Sequence, residues 1–157
     1  MDITEPLRHL DSVHARLTAA LDALDATGEA AWDVEPRDMP GWTRRDVVAH
    51  IEWWEVSSAD VTAALTTGRP LPIDDTEPLD LDALNRRTFE ANRGRSAEDV
   101  RAGEAAAWLA LRGLLAGLTD ADLFDPARFA ALEGEPLWAR VHGDTDDHWA
   151  EHLPHLR

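Results

Sequence analysis

The chain of 157 residues carries 31 Asp and Glu against 15 Lys and Arg, a formal charge of −16, and no cysteine. Without thiols it has no disulfide, thiolate metal site, Fe–S cluster or cysteine nucleophile, and its acidic excess opposes binding to nucleic acid or to an anionic membrane, both of which recruit basic patches. The hydrophobic fraction of 44% is that of a globular chain, no apolar run approaches the roughly 20 residues of a membrane span, and the N-terminus lacks the basic start and apolar stretch of a signal peptide, so one cytoplasmic domain over residues 1–157 is expected.

Hydrophobic spacing is helical from end to end. Thr4, Glu5 and Pro6 open a first helix, whose stripe of Leu7, Leu10, Val13, Leu17, Leu21 and Leu24 ends near Thr27 and Gly28. After a loop with Pro36, Pro40 and Gly41, Thr43 followed by Asp46 predicts the N-terminus of a second helix, with Val47, Ile51, Trp54, Ser58, Val61 and Leu65 on one face and Gly68 and Pro70 as the stop. Residues 69–79, with three prolines and three acidic residues, predict a long connection. A third helical region begins near Asp80, with Leu81, Leu84, Thr88 and Phe89 on one face. Gly94 interrupts it, Ser96 and Asp99 form a second N-cap pattern, and helix resumes to Gly117, which fits either a kinked helix or two helices. Residues 119–136 read as another long connection with a short helical piece. The last helix runs from about Leu137 until Pro154 ends or bends it. The expected fold is an all-α bundle of four main helices, and two long connections are not those of a simple up-down-up-down arrangement.

The last helix carries the clearest chemical pattern. His148 and His152 stand four apart in GDTDDHWAEHLPHL, which places both rings on one helical face about 5–6 Å apart at Cβ. Two imidazoles so placed either share a metal ion, as HExxH helices do, or form a hydrogen-bonded pair. His50, in RRDVVAHIEWWE, borders the buried stripe of the second helix and offers a third ligand. Three histidines from two helices would leave a position open for water or substrate. His155 follows the proline and is left out of the set; His9, His14 and His142 lack partner spacing and read as surface or cap residues. Asp144, Asp146 and Asp147 read as a solvated helix start favoured by the dipole.

The order GWTRRDVVAHIEWWE, then Asn85, then DTDDHWAEHLPHLR resembles the DinB/YfiT-like superfamily of metal-dependent helical proteins, over nearly the whole chain. It looks most like the ClbS/DfsB-type and DUF1706-like branches, and is similar to the mycothiol-dependent maleylpyruvate isomerase N-terminal domain. The resemblance implies a four-helix bundle in up-down-down-up order. It also implies a metal triad of His50, His148 and His152 holding zinc or nickel, and a homodimer. Characterised relatives use low-molecular-weight thiols in isomerase and S-transferase reactions, or act as a self-resistance hydrolase.

The resulting expectation is a metal-dependent hydrolase or a thiol S-transferase or isomerase acting on a small electrophilic or toxic compound. Mycothiol or bacillithiol would be the thiol cosubstrate, since the chain has none of its own. Glu55, five residues from His50, is the favoured candidate base over Glu52 and Glu151, although a surface carboxylate is the simpler reading of Glu55. Trp54, Asn85 and Trp149 are candidate pocket residues. The alternative is a non-catalytic metal- or small-molecule-binding stress or resistance protein.

Overall fold

The computed structural model describes residues 3–72 and 80–157, and among them it is all-helical. Helix α1 spans Thr4–Thr27, α2 Arg44–Thr67, α3 Leu81–Asn92, α4 Ala97–Ala116, α5 Asp120–Phe124, α6 Leu137–His142 and α7 His148–His152. The acidic stretch of the connection before α3, with Pro78, lies outside the described residues.

The boundaries follow local chemistry. Thr43 caps α2 by accepting from the Asp46 amide, while the Asp46 carboxylate accepts from the Thr43 amide. Ser96 and Asp99 form the same reciprocal pair at α4. Gly68 closes α2 in the left-handed region at φ 68°, a conformation glycine adopts without a Cβ clash. The third region is two helices: Arg93 is extended and Gly94 takes φ 89°, which breaks the axis before the Ser96 cap.

Helix α2 is buried on several sides, with Val47, Val48, Ile51, Ala59 and Val61 in the core beside its more polar residues. Its most extensive contact is with α4, α3 leans on it, and α1 packs on the C-terminal segment and α4. The stripes of α1 (Leu10, Leu17, Leu21) and α4 (Val100, Leu111, Leu115) meet in one core with Trp32, Leu137, Val141 and Trp149. Each such side chain contributes roughly 1.5–3 kcal/mol of burial.

Between α6 and α7 the chain stays helical but widens into a π turn over Gly143–Asp147. Steps of four residues drift about 40° in an α-helix. The wider turn absorbs part of that drift, so Val141, Thr145 and Trp149 all remain buried. Leu153–Leu156 forms a final 3-10 turn around Pro154, as the missing proline donor requires.

Candidate metal centre

His50 comes from the first half of α2, and His148 and His152 from the two ends of α7. Nε2 of His148 lies 3.0 Å from Nε2 of His50 and 3.0 Å from Nε2 of His152. A neutral ring nitrogen carries either a proton or a lone pair. His148 Nε2 therefore cannot be both donor and acceptor for its two neighbours, and hydrogen bonding leaves the cluster frustrated. Three lone pairs converging on one cation satisfy it: zinc at about 2.0–2.1 Å from each nitrogen spaces tetrahedral ligands about 3.3 Å apart. The donor set thus fits a divalent metal.

Burial pushes the three imidazoles down, to about 4 for His50, about 2 for His148 and about 3 for His152; neighbouring imidazoles add to the effect at His148 and His152. All three are neutral at pH 7, the form that ligates metal. His155, left out of the set from sequence, places Nδ1 3.2 Å from Nδ1 of His152. It stands behind a ligand ring, where an orienting partner is usual.

The cluster lies at the side of a cavity of about 310 Å³, lined also by Met39, Trp42, Trp54, Leu81 and Asn85 and by Asp144 and Glu151. Trp42 and Trp54 stand edge-on to His50, with ring centroids 5.4 and 6.3 Å away. Of the expected pocket residues, Trp54 and Asn85 are therefore here. Trp149 is not: one residue beyond His148 is about 100° around the helix, and its ring is fully buried against Trp108.

Glu55 is a correction of the same kind. Five residues beyond His50 is about 140° around α2, so Glu55 faces the core and lines no part of the pocket. Nor is it a surface carboxylate: it is 0% exposed. It accepts from Trp149 Nε1 at 3.0 Å, and its other oxygen has no partner. Burial, and then the charge of Glu104, raise its pKa well above the usual carboxylate range, which favours the protonated form. Buried Glu55 and Glu104 and half-buried His14 form a second group with ligand atoms within 4.8 Å of one another. Its Glu104 is already engaged, with His14 at 2.7 Å and Arg101 donating at 3.3 Å, while one oxygen of Glu55 stays without a partner.

The other candidate base near His50, Glu52, is paired with Arg95 at 2.7 Å. Glu151 is exposed and at the pocket. Glu151 stands three residues from His148, on the same face, and Asp144 stands four before His148. That was the legible signal for both. Of the acidic run only Asp147 is exposed: Asp144 pairs with Arg140 at 2.7 Å, and buried Asp146 is held by His142 at 2.7 Å and His9 at 3.1 Å.

The sequence matches the mycothiol maleylpyruvate isomerase N-terminal domain over residues 7–152. The chain belongs to that family. This places it in the DinB/YfiT-like superfamily. Solved structures agree in fold. An uncharacterised protein from Escherichia coli UTI89 superposes with a TM-score of 0.84 at 16% identity, covering 99% of this chain and 91% of that one. A protein from Streptococcus pneumoniae gives 0.82 at 14% identity, covering 100% and 89%. A comparison with the curated proteins gives no match. Membership in the mycothiol maleylpyruvate isomerase N-terminal domain family implies a metal-binding function, and the histidine cluster is a group that could hold an ion.

Proposed function

We propose that this chain is a metal-dependent enzyme that activates a thiol or water against a small electrophilic compound, as an S-transferase, isomerase or hydrolase. The observation that carries the reading is the convergence of three neutral Nε2 atoms beside an aromatic-walled cavity. His50, His148 and His152 would hold zinc or nickel, both suited to imidazole. The metal, when bound, supplies Lewis-acid activation of the nucleophile. Met39, Trp42, Trp54 and Leu81 exclude water and seat the apolar part of the substrate. Proton acceptance falls to Glu151, because Glu55 is turned into the core. With no cysteine in the chain, the thiol would be a cosubstrate such as mycothiol or bacillithiol.

The reading includes a four-helix bundle in up-down-down-up order, one domain over residues 1–157, a homodimer and a cytoplasmic location. It also includes kinship with the ClbS/DfsB-type and DUF1706-like branches. The test is elemental analysis of the purified protein, followed by turnover of an electrophile with and without mycothiol or bacillithiol. Stoichiometric zinc or nickel together with metal-dependent loss of the electrophile is expected. Metal without turnover would favour the binding-protein reading, and no metal above a chelated control would overturn the proposal.

A further inference from the structure

Away from the cavity, three helices bring a second set of ligand types together. His14 on α1, Glu55 on α2 and Glu104 on α4 each offer one nitrogen or oxygen, and these atoms lie within 4.8 Å of one another. Both carboxylates are 0% exposed. Two carboxylates so close and so buried repel, and the pair is relieved either by a proton or by a cation. Arg101 supplies part of a positive charge, standing 3.3 Å from Glu104, but it also donates to Asp22 at 2.8 Å and lies 3.7 Å from Asp25. One guanidinium divided among three carboxylates leaves the buried pair undercompensated. The hydrogen bonds show where: Glu55 Oε1 accepts from Trp149, whereas Oε2 is buried with no partner among the described residues. An acceptor left so costs free energy that a cation recovers. The side chain of His14 is 12% exposed, so it forms the solvent edge of the group and the way in.

We infer that His14, Glu55 and Glu104 form a second cation site, separate from the histidine triad, that takes a divalent ion of the manganese kind. Carboxylate oxygens suit manganese, whereas an all-imidazole set suits zinc or nickel. The ion takes the place of the proton that otherwise relieves the pair, and it gives the free oxygen of Glu55 a partner. The 2.7 Å contact of His14 with Glu104 is a hydrogen bond without the ion and a pair of neighbouring ligands with it. An ion held there ties α1, α2 and α4 together inside the core. The inference depends neither on the triad nor on the proposed reaction.

The test is titration of Mn2+ at pH 7.5 into zinc-loaded protein and into the triple variant His50→Ala, His148→Ala, His152→Ala. Binding is read from the electron paramagnetic resonance signal of the free ion, and its place from the indole N–H resonances of the tryptophans. Both proteins should bind a single Mn2+ per chain. Paramagnetic broadening should reach Trp149, which donates to Glu55 at 3.0 Å, and Trp108, stacked on His14 at 4.4 Å, before Trp42 and Trp54 beside His50. Glu104→Gln should weaken binding at least about tenfold, since losing even an orienting partner costs that much, while Asp147→Asn, at an exposed carboxylate, should leave it unchanged. Circular dichroism of each variant checks its fold, and the broadening pattern of the zinc-loaded protein needs no variant. No saturable Mn2+ binding, full affinity in a folded Glu104→Gln, or broadening that begins at Trp42 and Trp54 or spreads evenly over the indoles would overturn the inference.

Discussion

At the scale of the residue, two buried polar groups behave in opposite ways. The histidine triad is neutral because it is buried, and its three Nε2 atoms are left to a cation. Replacing His50, His148 or His152 by Ala should remove most bound zinc, as measured by elemental analysis. His155→Ala should keep the stoichiometry while weakening affinity roughly tenfold, the usual cost of losing an orienting partner. Full zinc retention by His50→Ala would show that the set is wrong. At Glu55, by contrast, burial favours neutrality by raising the pKa of the carboxyl group. Glu55→Gln preserves size and the acceptor for Trp149, and should cost under about 1 kcal/mol. Glu55→Ala orphans the Trp149 N–H and opens a cavity, and should cost roughly 2–4 kcal/mol by urea unfolding. A raised folded-state pKa stabilises fully below the unfolded value near 4.5 and loses that contribution as pH rises through the folded value. The wild type should therefore lose stability relative to Glu55→Gln as pH is raised from about 4.5 through the folded value.

At the scale of the element, the caps determine where helices begin and so where the site residues point. Thr43 fixes the start of α2, and His50 lies two turns later on the same rigid helix. Thr43→Ala should cost about 1 kcal/mol, read as a lower thermal midpoint, with zinc stoichiometry unchanged. The π turn at Gly143–Asp147 plays the corresponding part before His148. Such turns recur at functional sites; here it keeps Trp149 in the core while His148 faces the cavity.

At the scale of the whole molecule, charge and proton binding dominate. The metal-free protein should lose stability as pH falls. Unfolded histidines bind protons near pH 6.5, whereas the folded ones resist until about 4 at His50, about 3 at His152 and about 2 at His148. Each unequal proton costs about 1.4 kcal/mol per pH unit. Urea midpoints measured from pH 7.5 down to 4.5 should fall steadily, and the triple histidine-to-alanine variant should show a shallower decline. A flat wild-type profile would contradict the burial of the rings.

Helix existence, most caps and the histidine spacing were legible in the sequence because they depend on neighbours within four residues along the chain. Apolar period, Thr43 with Asp46, Ser96 with Asp99, and His148 with His152 are all of this kind. That Glu55 and Trp149 lie off the histidine face was in their spacing, but their complete burial was not, since it exists only once the packing partners are placed. The pairing of Asp146 with His9 and of His14 with Glu104 joins distant segments, and no local rule reaches across them. The sequence alone determined which side chains share a face. Only the tertiary structure decided which faces meet, because burial, and with it protonation, is a property of the assembled core.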